Sequence, residues 1–417
     1  MIYLDNAAST RPAPEVLAAT RAVEEAFFAN PSSAHGLGAA AARALEAARG
    51  EVAAALGAEA GEIVFTGGGT EANALGLLGA ARAARGRHVV IGGLEHPAVA
   101  RTAARLAGGA SREASGEASR EASGEASREA SGEASREASG DGYTLTVVAP
   151  GRDGVVRAAD VLAATRPDTA LVALMLVNNE LGTIQPVDEV ARGLAAAFPE
   201  ARRRPHLHVD AVQAFGLLRV RPRALGADTL ALSSHKVHGP KGVGALWVRA
   251  GARLEPLWDG GRQERGLRSG TENVAVCVGL GRAAGLAVAA QDAGVASAIE
   301  RERDRLERAC IEAVPGVRPT VTGAPRAPHI ASLAFPGLPA EPLLHALEAR
   351  DVYVSAGSAC ASRTRGPSAV LKAIGLDDRT AVLRFSLART TTPADVDAAV
   401  DALRGAVAEI SPLARIS

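Results

Sequence analysis

Residues 62–106 read EIVFTGGGTEANALGLLGAARAARGRHVVIGGLEHPAVARTAARL, and this stretch decides the fold. EIVFT (62–66) and HVVIG (88–92) are short, nearly continuous apolar runs, as in strands buried on both faces. Each is followed by a helix-length stretch rich in Ala, Leu, Arg and Glu, at Glu71–Ala84 and Pro97–Leu106. The same alternation continues through YTLTVVA (143–149), ALVALMLV (170–177), HLHVD (206–210), DTLALSS (228–234) and GALWV (244–248), with a further helix expected at Val187–Phe198. Strands alternating with helices predict βαβ units, hence an α/β domain with a mainly parallel seven-stranded sheet. Ligands of such sheets sit beyond the carboxyl ends of the strands.

After about residue 290 the texture changes. A long charged helix (296–314), HIASLAF, a helix at 342–350, the segment DVYVSAGSACAS, VLRFSL and a closing helix from Pro393 predict a smaller α+β domain. The expected division is 16–291 for the large domain, and 1–15 plus 292–417 for the small one. Residues 111–140 stand apart. SREASGEA begins at 111, 119 and 127, and SREASG again at 135, giving four Arg, seven Glu and no apolar side chain larger than alanine. Such a stretch cannot bury a core, so it reads as a solvated low-complexity insert of the large domain.

The chain has 417 residues, of which 47% are apolar and 22% charged, ordinary values for a globular protein. With 46 basic and 46 acidic side chains, no net positive field argues for nucleic acid or an anionic membrane. No continuous apolar run reaches the roughly 18 residues of a span, and MIYLDNAAST carries no basic-then-apolar leader, so a cytoplasmic location is expected. Cys277, Cys310 and Cys360 are too few and scattered for a disulfide framework or a four-cysteine zinc site. Forty-three of the 46 cations are arginine; the lysines are Lys236, Lys241 and Lys372. Arginine stays protonated and cannot act as an amine nucleophile, so amine chemistry here has three candidates.

TGGGTEAN (66–73) lies at a strand-to-helix turn, where free N–H groups favour an anion. No GK[ST] follows and the GxGxxG spacing is absent, so by itself it is as readily a structural turn as a phosphate site. SSHKVHGPKG (233–242) places Lys236 between histidines just past a strand, where a ligand would lie. In HLHVDAVQ (206–213), His206, His208 and Asp210 alternate and share one face. A metal site needs further ligands that the neighbourhood does not supply; an aspartate at a strand end can instead hold a heterocyclic nitrogen protonated.

With LEHPAV (94–99), VNNELG (177–182), RSGTEN (268–273), YLDNAAST at the start, NPSSAHGLG (30–38) and RFSLARTTT (384–392), these motifs resemble the class V aminotransferase-like enzymes that use pyridoxal 5'-phosphate (PLP). Within them the chain is similar to the cysteine desulfurases of the nitrogen-fixation and iron–sulfur-assembly type. The resemblance covers the chain apart from the insert and implies the PLP-dependent transferase fold, like that of aspartate aminotransferase. By resemblance, Lys236 carries PLP, Asp210 pairs with the pyridine nitrogen and Gln213 with the ring hydroxyl. His96 stacks on the ring and moves protons; Gly69, Thr70, Ser233 and His235 cradle the phosphate. Asn179 contacts cofactor and substrate, and Arg384 clamps the substrate carboxylate. Thr271 matches a residue that reaches the phosphate from the other subunit, which implies a homodimer.

Cys360, in SAGSACAS, matches the cysteine that attacks the substrate sulfur; Arg363 and Arg365 beside it favour a thiolate. Its small neighbours predict an exposed loop, and by resemblance the context is similar to the branch with a longer mobile loop, which delivers sulfur to protein acceptors such as an iron–sulfur scaffold. Cys277 and Cys310 read as small buried hydrophobes. The implied reaction turns L-cysteine into L-alanine and leaves a persulfide on Cys360, whose sulfur serves cluster assembly or tRNA and cofactor thiolation. No resident metal is implied, although Cys360 is placed to touch a cluster transiently. Selenocysteine lyase and transamination share everything except the need for Cys360, and a non-catalytic scaffold would need no lysine-bound cofactor. Two departures from the family pattern stand out: Ala74 replaces a polar residue, and TGGGTE has glycine where serine and alanine are commoner.

Overall fold

The computed structural model describes residues 1–108, 142–200, 203–357, 368–377 and 380–414, with side chains as far as 410. The repeat at 111–140 and Cys360, with Arg363 and Arg365, lie outside the described residues. The chain opens with β1 (Ile2–Tyr3), α1 (Pro14–Ala26) and α2 (Gly36–Leu56). Pro14 begins α1, where a missing N–H costs nothing, and α2 stops on Gly57, whose φ of 64° is the left-handed cap that favours glycine.

The alternation then runs β2 (Ile63–Thr66), α3 (Gly69–Ala74), a π-turn (Leu75–Gly79), α4 (Ala80–Ala83), β3 (His88–Gly92) and α5 (Pro97–Leu106). It continues with β4 (Thr144–Val148), α6 (Ala158–Ala163), β5 (Thr169–Met175), α7 (Val187–Ala197), β6 (His206–Asp210), β7 (Thr229–Ser233) and β8 (Gly244–Val248). All seven long strands from β2 to β8 share one sheet, in the order β2-β8-β7-β6-β5-β3-β4. The ladders from β7 to β4 are parallel, while β8 is antiparallel to both β7 and β2. β2 therefore points the same way as β7, and the carboxyl ends of β2, β3, β5, β6 and β7 meet along one edge.

Both faces of this sheet are covered. Val90, Val172 and Leu174 belong to the core shared with α1, α2 and the helix Val274–Asp292, whereas Val89, Ile91, Leu171 and Ala173 pack under Leu77, Val99 and Leu106 on the other face. That period of two explains why the strands read as unbroken apolar runs.

The remaining elements are α8 (Val274–Asp292), α9 (Val295–Ala313), β9 (Arg318–Pro319), β10 (Ile330–Phe335), α10 (Ala340–Glu348), β11 (Val352–Tyr353), α11 (Ala369–Ala373), β12 (Ala381–Ser386) and α12 (Pro393–Ala414). α8 is long and apolar enough to cross a membrane by length and composition alone; half of its apolar window is buried inside the fold, where it packs on α1 and α2. The antiparallel sheet β12-β10-β9 supports a second core of Leu306, Leu333, Phe335, Leu383, Phe385 and Leu403, which also takes in Leu4. The N-terminal segment threads between the two layers. β1 pairs with β11, Asp5 bridges to Ser386, the Thr10 N–H donates to the His235 carbonyl at 2.8 Å, and the Ala13 N–H donates to the His238 carbonyl at 2.9 Å.

Candidate active site

Of the residues proposed from sequence, Gly69, His96, Asp210, Ser233, His235 and Lys236 stand where the strand ends meet. Asp210 closes β6 and is 5% exposed; its Oδ1 accepts the Val212 N–H at 2.9 Å and its Oδ2 accepts the Asn73 amide at 2.7 Å. Lys236 ends the short 3₁₀ turn that follows β7, half-buried. Its Nζ donates to the carbonyls of Ala7 at 2.5 Å and Ala8 at 2.9 Å. Lys241 and Lys372 are both exposed, so only one of the three lysines is withdrawn from solvent.

His96 follows β3 and caps α5: its Nδ1 accepts the Ala98 N–H at 3.1 Å, which leaves the proton on Nε2 when the ring is neutral. Burial pushes its pKa below the usual histidine value, opposed by the charge of Asp210 and assisted by that of Lys236. Gln213 donates from Nε2 to the Ala7 carbonyl at 2.7 Å and turns Oε1 toward His329 Nε2 at 3.3 Å. Asn6, Gln213, Lys236 and His329 line a common cavity of about 40 Å³.

Gly69 opens α3 beside Ser233. A Cβ on Gly69 would come within 3.0 Å of both Ser233 Cβ and Val212 Cγ2, so the close approach asks for glycine. The Ser233 hydroxyl is buried with no partner among the described residues. His235 turns Nδ1 to the Ser9 hydroxyl at 3.3 Å, and Thr70 is exposed at the turn. Glu71 ties this turn to the RSGTEN segment, accepting from the Gly67 N–H at 2.8 Å and from Arg268 Nε at 2.9 Å. Thr271, on that segment, is exposed.

Arg384 on β12 is 2% exposed. Its Nη1 donates to the Asn179 carbonyl at 2.8 Å and its Nη2 to Asp5 Oδ1 at 2.7 Å, while Nε is buried with no partner among the described residues. Two arms of the fork expected to face a substrate carboxylate are thus held by the chain. The backbone of Arg384 pairs with Ser355 through two hydrogen bonds of 2.7 and 3.2 Å. The Ser368 hydroxyl donates to Glu180 Oε2 at 2.5 Å. Residues on both sides of the 358–367 segment that contains Cys360 are therefore fixed at the Arg384–Glu180 corner.

These groups fit PLP. The orphaned Ser233 hydroxyl and the uncapped first N–H groups of α3 are donors awaiting an anion. Asp210 is an acceptor at the right chemistry for a pyridinium, and Lys236 supplies the amine. His206 and His208 do not form a metal site: both turn a ring nitrogen to the Thr229 hydroxyl, at 2.8 and 2.9 Å. Among the described residues no group of three His, Cys, Asp or Glu could hold a metal ion. Cys277 and Cys310 are buried and their thiols are pushed up to about 12 by that burial, so neither is a nucleophile.

Several participants were missed from sequence. Asn73 holds Asp210. Glu95 is a buried carboxyl whose Oε1 accepts the Met175 N–H at 2.7 Å and whose pKa burial raises well above the usual value. Glu180 is raised by burial too, against the Ser368 hydroxyl and Arg384. Asn73 and Glu95 stand inside the quoted motifs, and buried polar residues beside a ligating one were the available clue.

Seven of the nine histidines have depressed pKa values, burial being the largest cause in each. His208 and His329, both held near 3, stay neutral in the fold but take up a proton below about 6.5 when unfolded. The unfolded state then binds more protons as pH falls, so each contributes a loss of stability of about 1.4 kcal/mol per pH unit below about 6.5. Glu95 and Glu180, protonated more readily in the fold, act in the opposite sense but are outnumbered. The urea midpoint of the PLP-loaded protein should accordingly be lower at pH 5.5 than at pH 7; a flat or rising midpoint would contradict this.

Comparison with known proteins agrees with the geometry. The family model described as aminotransferase class-V matches residues 2–113 and 128–399. A cysteine desulfurase from Cereibacter sphaeroides is 39% identical over 421 residues, covering 99% of this chain and 97% of its own. Among solved structures, a NifS-like protein superposes with a TM-score of 0.82 at 31% identity, covering 98% of this chain and all of its own (100%). A structure of SspA in complex with cysteine superposes with a TM-score of 0.70 at 31% identity, covering 93% of this chain and 99% of its own.

Proposed function

The chain belongs to the aminotransferase class-V family, and on that premise we propose how its residues carry out a cysteine desulfurase reaction. The enzyme is PLP-dependent and converts L-cysteine to L-alanine. Bound PLP supplies an electron sink for the substrate's Cα. Lys236 would carry the cofactor, and its amine, when free, would move the proton at the substrate's Cα. Asp210 holds the positive charge at the pyridine nitrogen, Gln213 meets the ring hydroxyl, and Asn179 touches cofactor and substrate. Gly69, Thr70, Ser233 and His235 receive the phosphate. The Nε of Arg384, without a partner among the described residues, is the donor open to the substrate carboxylate, with Asp5 the group that must yield if the whole fork engages.

Cys360 thiolate attacks the substrate sulfur. An S–S bond forms, the Cβ–S bond breaks, and its electron pair stays on Cβ, which takes a proton to become the methyl of alanine. His96, with its proton on Nε2, is the proton carrier on that face. The persulfide on Cys360 then passes to an acceptor such as an iron–sulfur scaffold protein. Thr271 reaches the phosphate of a second copy in a homodimer, and the enzyme works in the cytoplasm. We also propose that 16–291 and 1–15 plus 292–417 act as the large and small domains.

The observation that carries this reading is the convergence of Lys236, Asp210 and His96 at one sheet edge, with Arg384 and the flanks of the Cys360 segment closing it. The test is an absorbance spectrum of the PLP-loaded protein before and after L-cysteine, with products assayed. The lysine-bound chromophore should change and alanine should appear with one equivalent of sulfane sulfur or sulfide. A keto acid in place of alanine, or no turnover, would overturn the assignment.

A further inference from the structure

A buried row of polar side chains runs along β6 to Asp210. Asn73 Nδ2 meets Asp210 Oδ2 at 2.7 Å, Asn73 Oδ1 meets His208 Nε2 at 3.0 Å, His208 Nδ1 meets the Thr229 hydroxyl at 2.9 Å, and that hydroxyl meets His206 Nε2 at 2.8 Å. Asn73, His208 and Thr229 are at most 1% exposed. His206 lies at the start of β6 and Asp210 at its end, so the row spans the strand.

Its direction is determined. Turning the Asn73 amide over would set its oxygen against Asp210 Oδ2, acceptor to acceptor, so Nδ2 faces Asp210 and Oδ1 faces His208. His208 must then carry its proton on Nε2. Held neutral by burial, with a pKa near 3, it has a bare Nδ1, which takes the Thr229 proton. The Thr229 oxygen in turn accepts from His206 Nε2. Every donor points toward Asp210, and hydrogen bonds aligned in series polarise one another.

The backbone makes room for this row. A Cβ on Gly76 would lie 2.4 Å from both Cε1 and Nδ1 of His208, so the helix passes over the imidazole only as glycine. Gly76 sits in the π-turn Leu75–Gly79, one helical turn from Asn73. Such turns are rare and occur often at functional sites.

We propose that His208 and Asn73 are positioning residues which, as the directed donor row from His206 through Thr229, fix the Asp210 carboxylate and offset part of its negative charge, so that the shared proton stays on the cofactor's pyridine nitrogen and does not pass to the carboxylate. This rests on the PLP reading above. The row delivers one donor to Oδ2 and the Val212 N–H delivers another to Oδ1, which leaves the remaining lone pairs for the pyridinium and prevents the carboxylate from turning away.

The test uses PLP-loaded protein with ¹⁵N at the pyridine nitrogen. His208→Leu removes the donor to Asn73 and should move the ¹⁵N resonance toward the unprotonated position. It should also weaken PLP binding and slow exchange of the Cα hydrogen of L-alanine, a reaction that needs no Cys360, each by about tenfold or more. His208→Gln keeps an N–H donor where Nε2 stood and should restore all three. If His208→Leu does not fold, Asn73→Ala, which removes the donor to Asp210 Oδ2, should shift the resonance in the same direction. An unmoved resonance in the folded variant, or His208→Gln as impaired as His208→Leu, would overturn the proposal. Absence of a lysine-bound chromophore in the unaltered protein would instead overturn the PLP reading.

Discussion

Replacing Lys236 with alanine should abolish the lysine-bound absorbance and slow alanine formation from L-cysteine by about 10⁴-fold or more. Loss of the proton carrier alone is worth about 10²–10⁴-fold, and loss of the covalent anchor adds to it. No other amine can step in. Lys241 and Lys372 are exposed, and the chain's remaining cations are arginines, whose guanidinium does not give up its proton. Lys236→Arg should therefore be as inactive as Lys236→Ala, although it keeps the charge. The alanine variant should still bind PLP, reversibly and with the spectrum of the free aldehyde, because Asp210, Gln213 and Ser233 remain. Added methylamine should recover part of the proton transfer. A variant that keeps the lysine-type chromophore, or that turns over at an undiminished rate, would show that this amine does not carry the cofactor.

The sheet was legible because burial on both faces writes itself into the strands as unbroken apolar runs. Each of the seven expected strands lies within a residue or two of its observed place, from Ile63–Thr66 to Gly244–Val248. Strand direction was less visible, since an apolar run has no sense along the chain. The ten residues between Ser233 and Gly244 are short for a parallel crossover, and β8 accordingly returns antiparallel to β7. The π-turn at Leu75–Gly79 could not be read from ANALGLLGA, because its cause lies outside the helix: the imidazole of His208, which arrives from β6 and occupies the space a side chain at Gly76 would need.

The site divides the same way. Lys236 stood out through scarcity, and the strand-end position of Asp210 through the apolar run before it. Asn73, Glu180 and His329 did not, because their partners come from far along the chain: Asp210 for Asn73, Ser368 for Glu180 and Gln213 for His329. Arg384 shows how a sequence match underdetermines geometry. The motif RFSL predicts a fork aimed at a carboxylate, but Asp5 and the Asn179 carbonyl occupy Nη2 and Nη1. Asp5 reaches this position because β1 pairs with β11 and carries the N-terminal segment across Ser386.

Cys360→Ser should abolish release of alanine from L-cysteine while leaving the PLP chromophore and its change on adding substrate intact. The separation of effects follows from the layout. The groups proposed to bind the cofactor come from the ends of β6 and β7, from the turn before α3 and from the residue before α5; Cys360 belongs to a segment whose flanking residues are fixed elsewhere, at Arg384 and Glu180. A serine hydroxyl keeps the size but gives up the nucleophilicity of a thiolate and cannot store sulfane sulfur, so the Cβ–S bond has no acceptor for its sulfur. Neither buried thiol can substitute, since Cys277 and Cys310 are held near 12 and closed to solvent. The same variant separates the desulfurase from other class V chemistries. Transamination or selenocysteine cleavage uses Lys236 and Asp210 without Cys360, so undiminished turnover of Cys360→Ser would assign the chain to one of those reactions. Loss of alanine release, with Cα hydrogen exchange of L-alanine preserved, would place Cys360 at the sulfur-transfer step alone.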